Sequence, residues 1–219
     1  MLFLGLAIGA PAGASQCSAR SGARTAALVE LYTAQSCRAC RPAEQWLAGL
    51  YAPGLVMPVA LHVDYRDYVA IATPRRKLTP RQRLALAYTP QVLLQGREFR
   101  GWGSDAFDAA LARINALRPR ATLRLDIVSQ DAQGLRVAVA AELLQPADAV
   151  LYLAAYENRS GRYVVLEWLG PFRFSGAKLQ AQRSLPLLPG AMPANSGAVG
   201  FVQDRRSAEV LQALIRAAC

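Results

Sequence analysis

Two cysteines set two residues apart, Cys37-Arg38-Ala39-Cys40, are the residues best equipped for chemistry in this chain. A thiolate is a nucleophile. At the start of a helix, unpaired backbone N–H groups and the helix dipole stabilise it. Arg38 and Arg41 add positive charge beside the pair. In that setting Cys37 is the attacking thiol and Cys40, one turn on, resolves a mixed disulfide. Two other readings compete. The pair can be a purely structural disulfide, or half of a zinc site. Zinc needs two further ligands, and the chain offers only His62, Cys17 and Cys219, so no metal or other cofactor is expected.

Other residues bear on the same chemistry. Thr89-Pro90 immediately precedes a strand at Val92 to Gln95, where a thioredoxin-like fold sets a cis-proline facing such a pair. Glu30 interrupts an apolar run seven residues before Cys37. It is either a buried proton acceptor for the resolving cysteine or a strand-edge carboxylate pointing to water. His62 reads as a proton relay or, more plainly, as a strand residue hydrogen-bonded for structure.

The elements that must position these groups follow from periodicity. Ala27 to Thr33 is a short buried strand. From Pro42 to Tyr51, Ala43, Trp46, Leu47, Leu50 and Tyr51 form one face of a helix. Val56 to Tyr65 reads as a second strand, and Thr79-Pro80 as a helix start. Val92 to Gln95 and Glu98 to Trp102 flank Gly96 as a hairpin. Ser104 caps a helix with Phe107, Ala110, Leu111, Ile114 and Leu117 on its buried face.

Beyond Pro119 the period changes to two. Leu123, Leu125 and Ile127 alternate with polar residues, as do Leu135, Val137 and Val139 after a turn at Asp131 to Gly134. Further strands are expected at Val150 to Tyr156, Tyr163 to Trp168 and Ala198 to Gln203, a loop through Pro186, Pro189 and Pro193, and a terminal helix at Val210 to Ala218. The expected architecture is an α/β domain over residues 26–118, then a β-rich domain, antiparallel sheet or sandwich, over 119–219.

Composition narrows the class. Over 219 residues, 53% hydrophobic content excludes a disordered chain, and no later run of 18 apolar residues marks a helical membrane protein. Net charge is +10, carried by 23 arginines among 25 basic residues. The arginines are dispersed without an aromatic platform, so nucleic acid is not an expected partner. The cluster Arg75-Arg76-Lys77 with Arg81 and Arg83 suits acidic partners or an anionic membrane surface, or is a solvated helix. Residues 1–14 read as the apolar core and small-residue cleavage region of a secretory signal peptide, cut before Ser15, and imply a periplasmic or extracellular protein. Gln16 before Cys17 does not fit a lipoprotein site. With Cys37 and Cys40 as one pair, Cys17 and Cys219 are expected to form a second disulfide, the alternative being that one or both stay free or that Cys17 pairs between molecules.

The run VELYTAQSCRACRPAE (Val29 to Glu44), the run HVDYRDY (His62 to Tyr68), Arg81-Gln82, and YTPQ (Tyr88 to Gln91) before Gly96 resemble the exported thioredoxin-like family known as domain of unknown function 1223. Glu157-Asn158 with Gly161-Arg162 echoes a weaker pattern of that family. The resemblance implies a thioredoxin-like unit followed by a β-rich one, with Cys37 and Cys40 as the redox pair and Pro90 as a cis-proline. The function expected is an exported thiol–disulfide oxidoreductase acting on protein or peptide cysteines. The alternative is a non-catalytic binding or envelope-assembly module whose pair stays oxidised.

Overall fold

In a computed structural model the chain is mostly β-sheet; residues 17–62, 88–165, 168–187 and 190–219 are described. The expected signal segment 1–14, the end of the strand at 63–65, the helix start Thr79-Pro80 and the basic cluster Arg75, Arg76, Lys77, Arg81 and Arg83 lie outside them.

The first half runs β1 (Ser18–Arg20), β2 (Ala27–Thr33), α1 (Cys40–Ala48), β3 (Val56–His62), β4 (Gln91–Leu94), β5 (Arg97–Glu98) and α2 (Asp105–Ala116). The second half is β6 (Ala121–Gln130), β7 (Gly134–Leu143), β8 (Ala149–Arg159), β9 (Arg162–Val165), β10 (Leu169–Arg173), β11 (Lys178–Pro186), a 3-10 turn at Pro193–Asn195, β12 (Ser196–Asp204) and β13 (Val210–Ala217). The terminal helix expected at Val210 to Ala218 is therefore a strand. Its first six residues are buried, and its partner β12 holds it extended from Gly197–Ala217 to Gln203–Val210. Val210, Leu211, Ala213, Leu214 and Ile215 fit a helix face and a buried strand alike, so strand pairing decides the form.

Pro119 separates two kinds of strand but not two sheets. A four-stranded sheet has the order β1-β6-β7-β11, and a nine-stranded sheet runs β13-β12-β8-β9-β3-β2-β4-β5, with β10 on β8. The larger sheet thus takes strands from both halves, joined where β9 lies parallel to β3. Within it β2 and β3 are parallel and β4 is antiparallel to β2.

Alternation along the strands sorts the core into layers. Val29 and Leu31 of β2 pack under Ala43 and Leu47 of α1 and Phe107 of α2. Leu28 and Tyr32, on the other face, meet Tyr152 of β8, Phe201 of β12 and Ala213 of β13. The nine-stranded sheet curls so that its two halves face each other. Leu151 and Leu153 of β8 point away from that core, toward Leu125 and Val137 of the smaller sheet. Helices thus cover the outer face of one half of the curled sheet, and the smaller sheet covers the outer face of the other half.

Two glutamines close the seam. β4 pairs β2 only from Val29 to Tyr32, which leaves the start of β2 with backbone groups to satisfy. The Leu28 amide donates to Gln95 Oε1 at 2.7 Å, and Gln95 Nε2 donates to the Val210 carbonyl at 3.0 Å. The Ala26 amide donates to Gln212 Oε1 at 2.9 Å, and Gln212 Nε2 donates to the Arg24 carbonyl at 3.1 Å. Side-chain amides do here what a neighbouring strand does elsewhere.

Candidate functional site: a cysteine pair at a helix start

β2 ends at Thr33, and the chain turns through Ala34 to Ala39 into α1. The turn is closed by the Cys37 amide donating to Ala34 (3.1 Å) and the Cys40 amide donating to Cys37 (3.2 Å). Cys37 and Cys40 are bonded, with their Cα atoms 5.3 Å apart. Their exposures differ: Cys37 is half-buried, whereas Cys40 is 1% exposed. A partner can reach the first sulfur and not the second.

The first turn of α1 contains no acidic residue. The positive end of the dipole is therefore uncompensated there, and Arg38 and Arg41 stand exposed beside it. Cys37 Sγ also lies 3.7 Å from the carbonyl oxygen of Thr89. The Thr89–Pro90 peptide bond is cis, and Gln91 directly after it opens β4. His62 closes β3 opposite Thr33, at the same sheet end as the pair, where it is half-buried. Among the described residues no cluster of His, Cys, Asp or Glu suits a metal ion.

Of the two readings of Glu30, its burial removes the strand-edge one: at 1% exposure it is not a carboxylate in water. It accepts hydrogen bonds from Tyr32 Oη and Trp168 Nε1, both at 3.2 Å. That places it on the Leu28 and Tyr32 face of β2, opposite the face that carries α1. Burial pushes its carboxyl up to about 7, with the two hydrogen bonds pulling back. It is a buried proton-accepting group, but the sheet separates it from the helix that Cys40 begins.

Three residues not singled out as site residues complete the surroundings of α1. Thr33 Oγ1 donates to Glu44 Oε1 at 2.6 Å, and Arg162 Nη1 donates to Glu44 Oε2 at 2.7 Å. Glu44 lies one turn beyond Cys40. The spacing i, i+4 was the available signal for it. Arg162 opens β9, far along the chain, and only the fold brings it here. The Glu157-Asn158 and Gly161-Arg162 pattern is the turn between β8 and β9: Asn158 Oδ1 accepts from the Gly161 amide at 2.8 Å. Gly161 has φ +85°, and a side-chain carbon there would stand 3.3 Å from the Ala48 carbonyl oxygen. Glycine at this turn lets the hairpin seat against the end of α1.

The other two cysteines, Cys17 and Cys219, are also joined, across a sequence separation of 202. Cys17 packs against the core between the sheets, and its carbonyl accepts from the Ile127 amide at 2.9 Å.

With this geometry in hand, the family described as "Protein of unknown function (DUF1223)" matches residues 28–167, more than half of the chain. The chain belongs to the DUF1223 family. The match takes in the cysteine pair, the Thr89–Pro90 loop and the β8–β9 turn, so both halves of the chain contribute to what the DUF1223 pattern covers. No curated protein matches the chain. Among solved structures, a domain of the outer membrane lipoprotein Omp28 from Porphyromonas gingivalis is similar at 16% identity, over 46% of this DUF1223 chain and 88% of that chain, with a TM-score of 0.37.

Proposed function

We propose that the protein is an exported thiol–disulfide oxidoreductase acting on protein or peptide cysteines. The observation that carries this reading is the unequal pair: a reachable Cys37 bonded to a buried Cys40 at a helix start free of acidic residues. A structural disulfide has no need of one accessible sulfur in an electropositive setting. The order β5-β4-β2-β3, with α1 following β2 and α2 following β5, supports a thioredoxin-like unit. Two disulfides and the apolar residues 1–14 support an oxidising compartment.

The chemistry is balanced in either direction. From the oxidised pair, a substrate thiolate attacks Cys37 Sγ, and Cys40 leaves as a thiolate. A second substrate thiolate then attacks the substrate sulfur of the mixed disulfide and displaces Cys37. The substrate loses two electrons and the pair gains them. In reverse, the Cys37 thiolate attacks a substrate disulfide and Cys40 attacks Cys37 Sγ to release the reduced substrate. The Thr89 backbone beside Cys37 offers hydrogen-bonding groups to an extended substrate segment.

The test combines a redox titration with trapping. A potential between about −120 and −270 mV, with mixed disulfides captured by Cys40→Ser, supports the oxidoreductase. A potential well below about −300 mV and no captured partner would instead assign a binding module with a permanently oxidised pair.

A further inference from the structure

We infer that Arg162, contributed by the second half of the chain, is a positioning residue that acts through Glu44 to keep the Cys37–Cys40 pair in its reactive electrostatic setting. The inference rests on the redox reading above and adds the residue that regulates the same site.

The argument starts from Glu44. Its carboxylate is the one negative charge that the Val29 to Glu44 run places on α1 near the pair, one turn after Cys40. A carboxylate there opposes a thiolate at the helix start, because like charges disfavour the charged form. Arg162 neutralises it at 2.7 Å, with the Glu44 side chain 15% exposed and that of Arg162 37%, so solvent screens the pair only in part. Thr33, at the end of β2, holds the other carboxylate oxygen, so Glu44 is gripped from both sides. The same hairpin seats Gly161 on the last turn of α1. One turn of chain from the second half thus fixes the far end of α1 and cancels the one acidic charge that α1 carries near its redox end. A salt bridge serving stability alone would leave the thiols indifferent to its charges.

The experiment compares Arg162→Gln, Arg162→Lys, Glu44→Gln and the Arg162→Gln/Glu44→Gln double variant of the mature protein. The readouts are the ultraviolet absorbance of the Cys37 thiolate against pH and the equilibrium of the pair with glutathione. Arg162→Gln should raise the Cys37 midpoint by roughly half to one pH unit and shift the equilibrium about threefold to tenfold toward the disulfide. Arg162→Lys should stay within about twofold of the parent, because the charge is kept. Glu44→Gln should move both readouts the opposite way, and this holds the inference open to refutation even if Arg162→Gln fails to fold. The double variant should return close to the parent. Unmoved readouts in folded Arg162→Gln or in Glu44→Gln, or a double variant that keeps the Arg162→Gln shift, would overturn the inference. A parent potential outside the oxidoreductase range, with these differences intact, would overturn the functional reading alone.

Discussion

Cys37 Sγ stands 3.7 Å from the carbonyl oxygen of Thr89, a residue fifty-two positions later in the chain. The contact joins the loop that leaves β2 to the loop that enters β4, and it puts the accessible sulfur at the meeting point of the two.

The reduced protein should show unequal thiols. Cys37 is half-buried at the helix start and Cys40 almost wholly covered, so Cys37 should be alkylated at least about tenfold faster at mildly acidic pH. Mass spectrometry of peptides after brief iodoacetamide treatment measures the ratio. Equal labelling would remove the basis for assigning Cys37 as the attacking thiol.

Glu30 should make stability fall with rising pH. Its folded carboxyl is held up to about 7 by burial, above the ordinary 4.5. Between those values the folded protein keeps a proton that the unfolded chain releases. The native state is thus favoured most below about pH 4.5 and loses this advantage as pH rises through about 7, by on the order of 3 kcal/mol in total. Glu30→Gln keeps a carbonyl acceptor for Tyr32 and Trp168 while removing the charge. Urea unfolding of the variant should show a gain at pH 8 that shrinks toward pH 5; an equal effect at both would contradict this account.

Gln212 should be costly to lose. It is fully buried and serves both the Ala26 amide and the Arg24 carbonyl. Gln212→Leu leaves a buried N–H without a partner, at about 1–3 kcal/mol. The Ala26 amide should also exchange faster with deuterium, and an unchanged exchange rate would show that another group replaces the glutamine.

The Cys17–Cys219 bond should contribute about 2–4 kcal/mol. It adds to strands already pairing at each end, β1 on β6 and β13 on β12. Cys17→Ser/Cys219→Ser should lower the urea midpoint without altering the Cys37–Cys40 potential. Non-reducing peptide mapping should yield a Cys17–Cys219 peptide, and a Cys17–Cys37 peptide as the main species would refute both pairings.

Local features were readable from the residues. The buried strand before C-x-x-C, the Gly96 hairpin and the alternating β6–β7 pair each announce themselves within a dozen positions. What sequence reasoning missed depends on distant partners. VLQALIRA in β13 is made of residues at home in a helix, and only β12 makes it a strand. The segment KLQAQRSLP, β11, is polar on most positions and is a strand because β7 pairs it along its whole length. The face chosen by Glu30 was hidden because a strand end and a turn intervene before Cys37, and parity cannot be counted across them. Arg162 was hidden because its partner Glu44 lies 118 residues away.

The bond between Cys17 and Cys219 makes the oxidised polypeptide from residue 17 to residue 219 a closed covalent ring. A single protease cut in the exposed turn at Asp131 to Gln133 would therefore not divide it into two pieces. It would leave one molecule with new ends in the middle of the β6–β7 hairpin and residues 17 and 219 still joined, the connectivity of a circular permutant made by nicking. Only reduction would let the two fragments part.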